Sequence, residues 1–426
     1  MRAAYCTLGC KVNKYETDAM TEILEVAGYK TVEFDEYADV YIINTCTVTA
    51  VADRKSRQMI GRAVEKGGLV CVCGCLTQRD AQSILDREGV DAVLGSSGKS
   101  KILEVIRRLQ AGETKINAVG DIRKERDFEP LQVSRSHERT RANIKICDGC
   151  NNFCSYCIIP YTRGPVRSRK PEDIMTEAKR LAASGVREVV LTGILVSSYG
   201  KDMQGVGFID VLEGLQLIEG IDRIRLSSME PTLLTEEFCT RAAALSKLCP
   251  HFHVSLQSGC TTVLKRMNRK YTAEQYAEYI ANVRKAFSNP AITTDVIAGF
   301  QGETEEEHAQ TMAFLQKVGF AKLHVFPYSK REGTAAARMP GDLTGDVKKQ
   351  RAAEIIALGE KMSHAYAQSL IGTEHAVLLE QYCAEGICEG YIERYLHTEI
   401  PGIPGEIKRV RICGTEGEKL LCDVID

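Results

Sequence analysis

Net charge is nearly absent: 55 basic side chains face 57 acidic ones, a formal net charge of −2 in 426 residues. Bulk charge therefore does not announce a nucleic-acid binder. No apolar run reaches the roughly 18 residues a spanning helix needs, so no membrane partner is expected. The opening stretch MRAAYCTLGCKVN lacks a charged-then-apolar export signal. Secretion is not expected, and the cytoplasm is the expected location. Fixed-period repeats and low-complexity tracts are also missing. Hydrophobic residues at 44% and charged residues at 26% are ordinary for globular domains, and the length allows about two to four of them.

Cysteine, in contrast, is abundant, with 17 residues. A reducing cytosol makes a disulfide framework implausible, so metal or redox chemistry becomes the first question.

The chain order predicts an α/β protein in three parts. Residues 1–112 alternate short β-rich runs (Ala3–Leu8, Lys30–Phe34, Val40–Asn44, Leu69–Cys73, Ala92–Gly95) with helical patterns (Glu16–Ala27, Val51–Lys66, Asp80–Glu88, Lys99–Gln110). This alternation predicts a parallel sheet with helices on both faces. Residues 113–140, polar and mixed in charge, read as a linker. Residues 141–363 carry six further βα units, with strands at Asn143–Cys147, Glu188–Thr192, Arg223–Ser227, Phe252–Leu256, Thr293–Ile297 and Lys322–Phe326. Six units suit an open, partial (β/α)6 barrel, which the helical run Asp346–Leu370 closes. Residues 364–426 change period and predict a small all-β barrel.

The sharpest motif is Cys150-Asn-Asn-Phe-Cys154-Ser-Tyr-Cys157, directly after the first strand of the second alternation. Three thiolates at this spacing can bind three irons of a cubane cluster and leave the fourth open to a small molecule. A structural zinc site would want four protein ligands. Packing gives no reason for three cysteines in eight residues.

This CxxxCxxC at the head of a partial barrel resembles the radical S-adenosylmethionine (SAM) superfamily. The flanking Asp148-Gly149, Ile158-Ile159-Pro160, Arg163-Gly164-Pro165 and Arg167-Ser168-Arg169 resemble its methylthiotransferases. The resemblance implies that the open iron chelates SAM and that reduction then yields a 5′-deoxyadenosyl radical. It also implies a second, auxiliary 4Fe-4S cluster on Cys10 (TLGCKVN), Cys46 (NTCTVT) and Cys75 (CGCLTQ). An independent argument selects the same three: each falls just past the carboxyl end of an expected strand, where open parallel sheets place their sites. The tail resembles a TRAM domain. TLGCKVNKYE is most similar to the MtaB-type branch, which implies methylthiolation of C2 of N6-threonylcarbamoyladenosine at position 37 of tRNA, with two SAM molecules and two 4Fe-4S clusters. Alternatives are isopentenyl-adenosine in tRNA or a ribosomal-protein aspartate. Rivals of other classes are a two-cluster electron carrier and a non-catalytic RNA-binding protein. The implied partners are the tRNA anticodon stem-loop and an electron donor such as flavodoxin or ferredoxin.

Further candidates for the SAM pocket end the barrel strands: Thr192 and Gly193, Ser228 and Glu230, Gln257 and Ser258, and Gly299, which would let the backbone approach adenine. His253 reads as a satisfied core histidine. Leu195 stands where the MtaB-type branch usually has a polar residue, and Gln301 where the family often has proline. Cys147 reads as packing or a neighbour of the cluster, not a ligand. Residues 364–426 carry five basic and eleven acidic side chains, a net −6, so the tail cannot bind RNA by bulk charge and offers at most the stripe Lys408–Arg411. Basic runs lie at Arg54–Arg57, Arg163–Lys170, Lys265–Lys270 and Lys330–Arg331, and together suggest an RNA groove.

Overall fold

The computed structural model describes residues 1–134 and 140–425. Residues 135–139 of the expected linker, and Asp426, lie outside the described residues. The amino-terminal part runs β1 (Arg2–Thr7), α1 (Lys11–Val26), β2 (Lys30–Val32), β3 (Val40–Thr45), α2 (Ala50–Glu65), β4 (Leu69–Gly74), α3 (Cys75–Leu85), β5 (Ala92–Leu94), α4 (Ile102–Gln110) and β6 (Ile116–Ala118). All neighbours pair in parallel, in the order β2-β1-β3-β4-β5-β6. Both faces are covered, so β3 is buried along its whole length. Successive side chains of β4 enter opposite cores: Cys71 and Cys73 on one side, Val70 and Val72 on the other.

Two local differences from the sequence reading have clear causes. Part of the expected linker, Ile116–Ala118, is the edge strand β6, and a run of three residues among polar neighbours hid its pairing with β5. Helix α3 begins at Cys75 rather than Asp80, because Asp80 is a kink (φ −127°, ψ 41°) inside it.

The second part runs β7 (Arg141–Asp148), α5 (Ile159–Arg163), β8 (Arg167–Ser168), α6 (Pro171–Ala183), β9 (Glu188–Gly193), α7 (Phe208–Gln216), β10 (Arg223–Leu226), α8 (Glu236–Ala243), β11 (His251–His253), α9 (Thr261–Arg266), α10 (Ala273–Ala286), β12 (Ala291–Ala298), α11 (Glu305–Val318), β13 (Lys322–Pro327) and α12 (Gly345–Gln368). Regular ladders join β10-β9-β7-β8 and β11-β12-β13. The seam between them is closed by single bridges: Met229 N–H donates to His253 O and Ser255 N–H to Met229 O, both at 3.0 Å. The result is an open, six-unit partial barrel. Helices α8, α10, α11 and α12 start on threonine side-chain caps, with reciprocal capping boxes at Thr272/Gln275 and Thr304/Glu307.

The third part is a closed five-stranded barrel of β14 (Glu374–Ala384), β15 (Ile387–Ile392), β16 (His397–Pro401), β17 (Ile407–Glu416) and β18 (Lys419–Val424). Strands β15 and β16 fold back on each other at Tyr395 (φ +66°). This barrel docks on the amino ends of the partial barrel's strands. There Arg223 donates to Tyr391 O (2.9 Å), Arg225 donates to Glu393 O (3.1 Å) and lies over the Tyr395 ring, and Arg141 pairs with Glu380 (3.1 Å). Part of the tail's acidic surplus thus meets a basic floor. Among the described residues, no helix is long and apolar enough to cross a membrane.

Candidate active site

Cys10, Cys46 and Cys75 leave the carboxyl ends of β1, β3 and β4, which are consecutive strands in the sheet. The chain reverses its winding between β1 and β3, and such switch points open a crevice. Close backbone approach draws the three loops together. Gly9 (φ +100°) lies against Cys46, so near that a Cβ on it would stand 2.8 Å from Cys46 Cβ. Gly74 (φ +102°) lies against Thr45 O, where a Cβ would stand 2.5 Å away. Asn13 Nδ2 ties the loops by donating to Leu8 O (2.7 Å) and Thr45 O (3.0 Å). Burial pushes the Cys46 thiol up to about 11, with Cys75 and Cys10 adding to the rise.

A fourth participant comes from the partial barrel. Arg163, at the end of α5 and fully buried, donates from Nε to Cys75 Sγ at 3.3 Å. Its other nitrogens bond Asn13 Oδ1 (2.5 Å), Glu16 (2.5 and 3.2 Å) and Asp148 (3.2 Å). Lys99 and Lys145 also bond Glu16, and Lys145 and Arg167 face Asp148. Burial opposes ionisation of both acids, yet the surrounding cations hold Glu16 well below the usual carboxylate range and Asp148 down to about 2. Four buried cations (Lys99, Lys145, Arg163, Arg167) thus face two buried carboxylates (Glu16, Asp148). Counting half-buried Glu129, which accepts from Ser100 N–H, still leaves a positive surplus. Buried charge needs compensation, and an anionic thiolate-ligated cluster beside Cys75 would provide it.

Cys150, Cys154 and Cys157 lie on one loop after β7. Cys150 N–H donates to Gly164 O (3.0 Å) and Cys157 N–H to Cys154 O (2.9 Å). Phe153 sits at φ +48°, and its carbonyl accepts from Asn268 Nδ2 (2.9 Å). Arg269 Nη1 donates to Cys154 Sγ (3.3 Å), and Arg269 also pairs with Glu230 (3.2 Å). Burial pushes Cys150 up to about 11 and Cys157 up to about 12. Among the described residues, no three His, Cys, Asp or Glu side chains close on a single metal ion. Thiolates that bind different irons of one cluster stand farther apart than ligands of one ion, so both triads fit the larger group by donor chemistry and placement.

The other candidates divide. Glu230 is buried beside the cysteine loop through Arg269, and its N–H donates to Ser197 Oγ at 3.1 Å. Ser228 is exposed and Thr192 buried. Gln257 adopts φ +76° and bridges to β12 through Asp295 O and Ile297 N. Ser258 turns to Thr311 Oγ1 (3.1 Å) and Cys260 N. Gly193 lies against Cys147, where a Cβ would stand 2.5 Å from Cys147 Sγ; that thiol faces Leu195 O at 3.4 Å, so Cys147 packs. Gly299 makes its close approach to Lys348 of α12, with 2.7 Å between a built Cβ and Lys348 Cγ. His253 is not a plain core residue. Its Nδ1 meets Thr293 Oγ1 (2.9 Å), its Nε2 meets Asp295 (3.1 Å), and its ring lies 5.3 Å from that of His324.

The basic runs need correction. Arg163, Arg167 and Arg169 are buried and paired, so Arg163–Lys170 is not a free RNA-facing stripe. Arg269 is engaged at Cys154, Arg266 pairs with Glu307, and Arg331 is buried against Asp53. Arg54, Lys55, Lys265, Lys270 and Lys330 are exposed. Reading the sequence took Arg163 and Arg269 for phosphate contacts; their places beside Cys75 and Cys154 needed the fold.

A partial barrel with a three-cysteine loop at its carboxyl mouth defines a radical SAM enzyme. The Radical SAM superfamily profile matches residues 144–315, and the profile described as "Uncharacterized protein family UPF0004" matches residues 2–95. The chain belongs to the radical SAM methylthiotransferase family. Threonylcarbamoyladenosine tRNA methylthiotransferase MtaB of Bacillus subtilis (strain 168) is 42% identical over 96% of this chain and 93% of its own. The protein of the same name from Aquifex aeolicus (strain VF5) is 38% identical over 89% of this chain and 93% of its own. A tRNA-2-methylthio-N(6)-dimethylallyladenosine synthase of Pelotomaculum thermopropionicum is 36% identical over 87% and 85%. Among solved structures, the radical SAM methyltransferase TsrM of Kitasatospora setae, with cobalamin and a 4Fe-4S cluster bound, aligns with TM-score 0.57 at 14% identity. It covers 91% of this chain and 76% of that one, and shows the fold alone. The family uses 4Fe-4S clusters and SAM.

Proposed function

We propose that this chain is a tRNA methylthiotransferase that converts N6-threonylcarbamoyladenosine at position 37 to its 2-methylthio derivative. Two 4Fe-4S clusters, on Cys10/Cys46/Cys75 and on Cys150/Cys154/Cys157, and two SAM molecules take part. The observation that carries the nucleoside choice is the polar lining of the barrel. Lys11 follows Cys10 directly; burial pushes its ammonium down to about 8, with Arg141 and Arg225 adding to the fall. The His253–Asp295 pair and His324 lie on neighbouring strands. A threonylcarbamoyl group brings a carboxylate, a hydroxyl and a urea to such a lining. An isopentenyl group offers these polar groups nothing to bond.

The unactivated C2–H of adenine is beyond side-chain acid–base chemistry, and bound SAM and clusters would supply the radical chemistry and the sulfur. The protein's own groups do the rest. Arg269 orients Cys154 and Glu230, and Asp148 fixes the start of the cysteine loop through Gly149 N–H (2.7 Å). Exposed Arg54, Lys55, Lys265, Lys270 and Lys330 are the groups available to RNA phosphates. A small one-electron donor, such as flavodoxin or ferredoxin, in the cytoplasm completes the reading.

Nucleoside mass spectrometry of tRNA from a deletion strain tests it. Loss of 2-methylthio-N6-threonylcarbamoyladenosine is expected. Loss of the isopentenyl derivative instead, or unchanged tRNA with an unmodified ribosomal-protein aspartate, contradicts it.

A further inference from the structure

Arg163 reaches from one cysteine region to the other. Its Nε–H reaches the Cys75 sulfur (3.3 Å), and Nη1 reaches Asp148 (3.2 Å), two residues before Cys150. Asn13 and Glu16, on the helix that follows Cys10, take its remaining hydrogens. It is wholly buried, and so are Glu16 and Lys99. Its backbone is fixed as well: Arg167 Nη1 donates to Arg163 O (2.9 Å), and the neighbouring Thr162 carbonyl accepts from Ser96 Oγ. A planar guanidinium can satisfy these partners at once, whereas an ammonium cannot.

We propose that Arg163 is a positioning residue through which the barrel domain holds the auxiliary cluster in register with the radical SAM cluster and raises its reduction potential. The inference rests on the reading that Cys10, Cys46 and Cys75 hold a cluster. An N–H directed at a ligand sulfur, and a buried positive charge beside it, stabilise the more negative reduced cluster. Removing them moves the potential down without removing a ligand. The same side chain fixes the spacing of two loops that come from different domains, so the auxiliary cluster is complete only when the domains are docked.

The test uses full-length enzyme, reconstituted anaerobically, as wild type, R163Q and R163K. It reads iron per chain, the potential of each cluster by EPR-monitored redox titration, SAM cleavage and methylthiolation. Wild type with a single cluster overturns both this inference and the reading beneath it. With two clusters present, R163Q is expected to keep its iron, and its auxiliary potential becomes more negative while the radical SAM cluster's is unchanged. R163K shifts less, because it keeps the charge but loses the fork. Methylthiolation falls roughly 10–100-fold in R163Q, while 5′-deoxyadenosine still forms. An unchanged auxiliary potential in R163Q overturns the inference even if activity falls, since a purely structural role would move activity alone. Should R163Q not hold the auxiliary cluster, R163K carries the test: a more negative potential supports the proposal and an unchanged one overturns it.

Discussion

The two cysteine triads are built by opposite means. Cys150, Cys154 and Cys157 sit within eight consecutive residues, and local backbone bonds such as Cys157 N–H to Cys154 O shape their loop. Cys10, Cys46 and Cys75 meet only because β1, β3 and β4 are neighbours in a parallel sheet. The first triad leans on one arginine, Arg269, from its own domain. The second borrows Arg163 from another domain and is wrapped in a surplus of buried cations. A contiguous loop can thus tolerate changes elsewhere in the chain, while a dispersed triad depends on strand register, close glycine contacts and domain docking.

The comparison breaks most sharply at the contiguous loop. Cys154→Ala is expected to abolish 5′-deoxyadenosine formation and to lower iron by about four per chain from roughly eight. Persistent SAM cleavage, followed by chromatography, would show that the loop is not the radical site. The dispersed triad should be vulnerable without any ligand being replaced. Gly9→Ala places a Cβ 2.8 Å from Cys46 Cβ in a left-handed conformation. It should lose about half the iron and at least about 10-fold in methylthiolation, with SAM cleavage retained. The same substitution should not disturb the contiguous loop.

Smaller effects separate the triads from their surroundings. Alanine at Arg54 and Lys55 should lower the salt slope of tRNA binding by roughly 2 and leave SAM cleavage intact. Adding Arg57→Ala should change the slope little further, because Arg57 is tied to Asp80 (3.3 Å). Cys71→Ala and Cys73→Ala should keep both clusters and lower stability by about 1 kcal/mol each, read as a shift in Tm. These two point into a helix-covered core rather than into the crevice.

The contiguous triad, the partial barrel and the strand ends were legible in the sequence, since each rests on spacing or period. The environments were not. Arg163 and Arg269 look like surface charge in a one-dimensional string, and only the fold shows that their partners are Glu16 and Cys75, or Glu230 and Cys154. Gly299 suggested close approach to a nucleobase and instead gives room to Lys348, because α12 crosses there. Ile116–Ala118 carries too little apolar pattern to announce a strand, and it pairs only because β5 presents an edge. The tail's acidity looked unfavourable for RNA; part of it, Glu380, meets Arg141 at the floor of the barrel.

The division of labour between the triads is tested most directly by Cys75→Ala, reconstituted anaerobically and supplied with SAM, reductant and tRNA. The account predicts about half the wild-type iron, continued 5′-deoxyadenosine formation and no methylthiolated nucleoside by mass spectrometry. Methylthiolation that persists, or SAM cleavage that disappears with it, would contradict two clusters with separate tasks.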